Sequence, residues 1–279
     1  MGPNRFSNPI QRMVGGALVT LSVGCASAPP SSDANLDAIL WVQTSAEYGA
    51  VTRSVYAAAL RDLPELLADS TESAALEQEG AFGGLPPAVI LDVDETVLDN
   101  VAYQARVLVD QELYASDSWA AWVEERAADP VPGSLEFTRG ADSLGVVVFY
   151  VTNRRPGLEE ATRDNLEALG FPLKQDVDVV LTREGGGSKS GRRVTIAGRY
   201  RVIMLVGDDL GDFVDVDGMT LEEREAVVRR YRDYWGRQWR MLPNPTYGSW
   251  ERVLFDSDFS LSPAERTKRK SEHLETERS

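Results

Sequence analysis

Residues 88–96 bring together the groups best suited to chemistry: Ala88-Val89-Ile90-Leu91 runs directly into Asp92-Val93-Asp94-Glu95-Thr96. A short apolar run that opens onto two aspartates reads as a buried strand ending at a catalytic site. In an extended chain, residues two apart face the same side, so Asp92 and Asp94 can converge on one small substrate and one cation. That arrangement suits phosphoryl transfer through a carboxylate nucleophile. The same pattern recurs at Asp176-Val177-Asp178, but behind Pro172-Leu173-Lys174-Gln175, which is no apolar strand. Position within a larger order must therefore separate the two.

Three more apolar runs follow, at residues 146–151, 202–206 and, more weakly, 239–242. The first leads into Thr152-Asn153-Arg154 and the second into Gly207-Asp208-Asp209-Leu210-Gly211-Asp212, while Lys189 sits between Ser188 and Ser190 beside a glycine-rich loop. In an open parallel sheet these strand ends meet in one crevice. During phosphoryl transfer, charge builds on the equatorial oxygens, where a Thr152 hydroxyl and a Lys189 ammonium would stabilise it. Asp212 could orient Lys189 or support a metal ligand, and Asp209 either shares that supporting role or faces solvent. Competing phosphatase chemistries lack their residues. His273 is the only histidine and lies in a charged tail, so neither a phosphohistidine site nor a Ser-His-Asp triad can form, and the only cysteine is Cys25.

The elements that must position these groups follow from periodicity. Residues 158–169 form an amphipathic helix closed by Gly170, between two apolar strands. Strand, helix, strand with continuous apolar strands predicts an α/β fold with a doubly wound parallel sheet covered on both faces. Residues 36–69 carry apolar positions at helical spacing and predict two or three helices, which a Gly/Pro-rich linker up to residue 87 joins to the first strand. The phosphatase core is expected over 88–261. Within it residues 100–140, rich in Trp and Tyr, read as an inserted cap, making a small helical accessory domain; 262–279 is a charged tail. Trp122, Tyr103 and Trp250 are assigned to packing, because large aromatics usually serve buried area.

Residues 1–24 read as an export signal: Arg5 and Arg12 precede a short uncharged apolar stretch too brief to span a bilayer. It ends at Leu21-Ser22-Val23-Gly24-Cys25, which resembles a bacterial lipobox with serine at the usual leucine place. Residues 25–35 then read as a flexible tether. The expected mature protein is a lipoprotein of the bacterial cell envelope held to the membrane through a lipid anchor on Cys25; Ala26 after the cysteine favours the outer membrane. Removing residues 1–24 takes away two arginines and no acid, moving the net charge from −15 to −17. Such a surface excludes nucleic acid polymers as general partners and repels phosphates at long range, so a phosphatase needs a local cation and a few placed bases.

At this point the chain resembles the haloacid dehalogenase-like phosphatases, and more narrowly the class C (subfamily IIIB) bacterial acid phosphatases, among them lipoprotein 5'-nucleotidases. The resemblance rests on Trp41-Val42-Gln43-x-Ser45-x-Glu47-Tyr48, residues 92–100, Phe149-Tyr150-Val151-Thr152-Asn153-Arg154, residues 207–213, and Leu242-Pro243-Asn244-Pro245-x-Tyr247-Gly248-x-Trp250-Glu251. It implies that Asp92 attacks phosphorus to form an aspartyl-phosphate, and that Asp94 serves as acid and then base. It also implies that Mg²⁺ is held by the Asp92 carboxylate, the Asp94 carbonyl and the Asp208 carboxylate, which are oxygen ligands suited to a hard cation. Trp119 and Tyr247 match aromatics that sandwich the ring of a nucleoside monophosphate, and Asn153 joins them as substrate-binding. A homodimer is implied as well.

The expected activity is Mg²⁺-dependent hydrolysis of small-molecule phosphate esters, nucleoside monophosphates and aryl phosphates, with an acid optimum. A phospho-accepting receiver module gathers similar groups, but places its acceptor aspartate later in the chain and carries no export signal. A non-catalytic binding or storage lipoprotein on the same fold is the alternative, against which stands the presence of Asp92. Phosphonate cleavage would need a cap lysine, and residues 100–140 contain none; dehalogenases do without the Mg²⁺ site.

Overall fold

The computed structural model describes residues 35–276 apart from Gln111. The expected export signal, Cys25 and its tether up to residue 34 lie outside the described residues.

Helices α1 (Leu36–Thr44) and α2 (Ala46–Ala68) open the described chain. Ser45 separates them and caps α2, its hydroxyl accepting the Tyr48 amide at 3.1 Å. Along α2, Tyr48, Thr52, Tyr56, Ala59, Leu63 and Leu66 recur every three or four residues and are the buried side.

Strands β1 (Pro87–Leu91), β4 (Val147–Val151), β5 (Val180–Leu181), β6 (Arg201–Gly207) and β7 (Trp239–Met241) form a sheet in the order β5-β4-β1-β6-β7. Every neighbouring pair is parallel. The doubly wound parallel sheet expected from the apolar runs is therefore the fold. β1 lies at its centre, and β6 is buried along all seven residues, as strands covered on both faces must be. β7 is short but firmly seated: Trp239 is fully buried against Phe213, Tyr231, Tyr234 and Trp235, and its indole donates to the Ala74 carbonyl at 2.7 Å. β5 was not among the apolar runs, because two residues at a sheet edge leave almost no pattern.

Between β1 and β4, strands β2 (Leu98–Asp99) and β3 (Asp129–Pro130) pair antiparallel and bracket helices α3 (Val101–Val109) and α4 (Ser116–Glu124). Helix α5 (Ser134–Ser143) packs on α2 through Phe137 against Tyr56, and Gly140 lets Leu60 approach so closely that a Cβ would sit 2.5 Å from it. Helices α6 (Glu159–Leu169) and α7 (Ser190–Ala197) are the crossovers from β4 to β5 and from β5 to β6. Gly170 ends α6 in the left-handed region at φ 82°. Helix α8 (Leu221–Arg230) precedes β7, and α9 (Ser249–Arg252) and α10 (Pro263–Ser271) complete the described chain. Trp250, assigned to packing on its type alone, is 41% exposed; Trp122 and Tyr103 are buried. No helix among the described residues is long and apolar enough to cross a membrane.

Candidate active site

Asp92 follows the last residue of β1 directly, and its amide still bonds the Val206 carbonyl of β6 at 3.0 Å, so the carboxylate leaves the sheet at its central strand. The chain then turns sharply. The amides of Val97 and Leu98 both return to the Val93 carbonyl at 2.9 Å, and Glu95 adopts φ 58°, a left-handed conformation that costs a non-glycine residue strain. The turn places Asp94 beside the end of β4.

Lys189, just before α7, is 6% exposed and reaches between two carboxylates, Asp92 and Asp212, the latter at 2.6 Å. Burial alone would push the lysine down, but Asp212 and Asp92 outweigh it and hold the ammonium charged well above its usual range. Asp92 shows the reverse balance: burial pushes it up to about 7 against the pull of Lys189. Asp208, after β6, is driven well above the carboxylate range by burial and then by Asp92 and Asp212. Carboxylate oxygens of Asp92, Asp208 and Asp212 lie within 4.8 Å of one another. Acids this close to each other, two of them buried and Asp208 partly so, resist ionising together unless a cation joins them, and an all-oxygen set suits a hard divalent ion. The residues present therefore fit a metal. Gly207 is required beside them, since a Cβ there would stand 2.2 Å from an Asp212 oxygen.

Asp94 belongs to a different set. Its Oδ1 accepts Arg154 Nη2 at 2.8 Å, Arg154 Nε at 3.0 Å and Asn100 Nδ2 at 3.1 Å, and its Oδ2 accepts the Thr152 hydroxyl at 2.9 Å. Thr152, expected to donate to a phosphate oxygen, here donates to Asp94. Arg154, 3% exposed, is further tied to Thr162 at 3.0 Å. Asn100 is fully buried; Trp122 donates its indole N–H to the Asn100 side-chain oxygen at 2.9 Å. Trp122 thus packs and also orients.

Asp209 does not join the carboxylate cluster. It accepts the Ser249 amide at 2.5 Å, the Ser249 hydroxyl at 2.6 Å and the Gly211 amide at 2.8 Å. Burial raises it, but these bonds prevail and leave it below its ordinary value. Asn153 bridges two loops, donating to the Gly187 carbonyl at 2.9 Å and accepting Arg192 at 2.7 Å. Arg192 also donates to the Thr152 and Ser188 carbonyls, so it fastens the end of β4 to the lysine loop.

Asp92, Asp94, Arg154, Lys189, Asp208 and Asp212 line a cavity of about 420 Å³ whose other walls include Asn153, Trp119, Tyr247 and Tyr114. Trp119 is half-buried, with its ring edge-on to Tyr103 at 5.1 Å and the Arg154 guanidinium 5.6 Å away. The Tyr247 hydroxyl donates to Glu95, whose carboxyl burial and then Asp94 and Asp208 push well above the usual range. Residue types alone gave no roles to Arg154, Glu95, Asn100 or Asn244, although all four lie inside the stretches that carried the resemblance.

Comparison with known proteins agrees with this arrangement. A family model described as HAD superfamily, subfamily IIIB (Acid phosphatase) matches residues 18–250. The class C acid phosphatase of Bacillus anthracis superposes with a TM-score of 0.79 at 32% identity, covering 88% of this chain and 99% of that one; a tungstate-bound structure of it matches equally, at 31% identity. Acid phosphatase 1 of Solanum lycopersicum is 33% identical over 163 residues, and vegetative storage protein 1 of Arabidopsis thaliana 25% identical over 167. These matches take in 57% of this chain and only 57% and 54% of those two proteins. The extent of the family match, together with five parallel strands that deliver Asp92, Lys189 and Asp208 to one cavity, shows that the chain belongs to the HAD superfamily, subfamily IIIB, the acid phosphatases.

Proposed function

We propose that the protein is a Mg²⁺-dependent acid phosphatase that hydrolyses nucleoside monophosphates and aryl phosphates through an aspartyl-phosphate on Asp92. The observation that carries this reading is the Asp92 carboxylate at the end of the central strand, gripped by Lys189 and clustered with Asp208 and Asp212. The presence of Asp92 at that strand end, with Lys189 beside it, argues against a non-catalytic storage role.

Asp92 attacks phosphorus, and as its oxygen bonds, the ester oxygen leaves with its electron pair and takes a proton from Asp94. Water then attacks the same phosphorus, gives a proton to Asp94, and breaks the bond to Asp92 to release phosphate. Asp94 Oδ1 is held by three N–H groups, whereas Oδ2 faces only the Thr152 hydroxyl, which can rotate; Oδ2 is therefore the oxygen free to carry the transferred proton. Lys189 stabilises charge on the transferring phosphoryl group, and Asp212 keeps its ammonium aimed there. A Mg²⁺ ion held by Asp92, Asp208 and the Asp94 carbonyl would neutralise phosphate charge. Because Asp94 must begin protonated, an acid optimum follows; a pH–rate profile that peaks well above neutrality would refute that role. Trp119 and the Tyr247 ring are read as the walls that hold a nucleoside base, and a lipid on Cys25 as the envelope anchor.

The deciding experiment is phosphate release by the chain from Cys25→Ser onward, from nucleoside monophosphates and an aryl phosphate, with and without Mg²⁺, beside Asp92→Asn. Activity that requires both Mg²⁺ and Asp92 supports the reading; inactivity across the panel at acid and neutral pH would overturn it in favour of a binding protein. Trp119→Ala is expected to raise KM for nucleoside monophosphates far more than for a small alkyl phosphate, and equal effects would remove the stacking role.

A further inference from the structure

Asp208 stands with Asp92 and Asp212 in the carboxylate cluster that fits a metal. Two side chains hold its carboxylate. Thr96 donates its hydroxyl to Asp208 Oδ1 at 3.1 Å, and Asn244 donates its amide to Oδ2 at 2.8 Å. Each oxygen accepts one of these bonds and keeps lone pairs for a metal.

Asn244 is itself oriented. The Leu242 amide bonds the Gly207 carbonyl at 2.8 Å, so the chain leaves β7 alongside the end of β6 and brings Asn244 next to Asp208. The Asn244 side-chain oxygen accepts the Thr246 amide at 2.9 Å, the Thr246 hydroxyl at 2.6 Å and the Tyr247 amide at 3.4 Å. A backbone N–H can only donate, so the oxygen must face Thr246 and the NH₂ must face Asp208. Thr246 is buried, and its carbonyl accepts Asn35 at 2.8 Å. The amide is thus locked in the one direction that lets it donate to Asp208. Beyond this lock, the Tyr247 hydroxyl reaches Glu95 in the catalytic turn, so residues 244–247 tie the Asp208 side of the site to the Asp94 side.

We propose that Asn244 is a positioning residue for the metal site, fixing the orientation of the Asp208 carboxylate so that it can bind a divalent cation. This rests on the metal-dependent reading above. Partners of ligating carboxylates typically change metal affinity 10–100-fold on removal, and Asn244→Ala is expected to fall in that range.

The test is direct binding of Mn²⁺, followed through the electron paramagnetic resonance signal of the free ion, for the wild-type chain, Asn244→Ala, Thr246→Val and the double variant, with urea unfolding of each in EDTA. Thr246→Val removes one of three bonds that lock the amide, so its loss is smaller, and it adds nothing once Asn244 is gone. A merely structural role would lower stability in EDTA and leave Mn²⁺ affinity unchanged, which would overturn the proposal. Unaltered affinity in Thr246→Val would overturn the lock even if Asn244→Ala failed to fold. Wild-type protein that binds no Mn²⁺ would bring down the metal-dependent reading itself, whereas equal binding by wild type and Asn244→Ala would remove only this proposal.

Discussion

Replacing Arg154 with methionine isolates the ion pair beneath Asp94, the proposed general acid. The Arg154 side chain is 1% exposed, and Asp94 retains 16% exposure. The substitution keeps most of the buried stem and removes both N–H bonds to Asp94, together with the one to Thr162. Removing one partner of a buried pair costs about 3–5 kcal/mol because the other charge stays behind. Asp94 keeps the Asn100 and Thr152 bonds and some contact with water, which sets the expected loss near the lower limit, about 3 kcal/mol. A domain of this size loses ~2–4 °C of Tm per kcal/mol, so Tm should drop by roughly 6–12 °C. Urea unfolding of wild type, Arg154→Met, Asp94→Asn and the double variant, all in EDTA, closes a double-mutant cycle. The coupling energy should reach about 2 kcal/mol. Effects that add within about 0.5 kcal/mol would show that the pair carries no net interaction and refute the assignment of Arg154 as the holder of Asp94.

Metal-free protein should lose stability as pH rises. Asp92 ionises at about 7 in the fold, and Asp208 and Glu95 well above the usual range, whereas in the unfolded chain all three ionise near 4. The folded state therefore binds more protons in that window, and stability falls with pH from about 4 to 7 and beyond. In EDTA, Tm at pH 7.5 should lie below Tm at pH 5, with Mg²⁺ restoring most of the difference; a Tm that rises with pH in EDTA would contradict this. Gly207→Ala should push Asp212 away from Lys189, because the new Cβ would meet an Asp212 oxygen at 2.2 Å. An ångström of displacement at a reacting group costs up to about 100-fold, so kcat should fall about 10–100-fold; wild-type turnover would refute the contact.

The sheet and its polar strand ends were legible because fully buried parallel strands must be continuously apolar and must end where carboxylates can meet a substrate. β1, β4 and β6 announce themselves this way, and Asp92, Thr152 and Asp208 follow each at once. What closes the site is of another kind. Arg154 answers Asp94 across 60 positions, Asn244 answers Asp208 across 36, and Lys189 answers Asp92 across 97. Residue type says only that an arginine or asparagine has donors to give; which acceptor it meets is decided by packing. Thr152 illustrates the same point, since residue type did not announce that its hydroxyl donates to Asp94. Edge strand β5 and exposed Trp250 fail for the complementary reason, the one too short to show a period and the other large enough to suggest burial without requiring it.

The Tyr56 hydroxyl, buried in α2, donates to the Thr96 carbonyl at 2.6 Å, directly beneath the turn that carries Asp94 and Glu95. The helix that precedes the sheet in sequence is therefore a prop for the reacting centre, and the boundary drawn at residue 88 by reading motifs is not a boundary in mechanics. A fragment beginning at Ala88 would contain every carboxylate of the site and lack the strut that holds the turn in its strained shape. Excision or grafting of this domain as a module has to include α2.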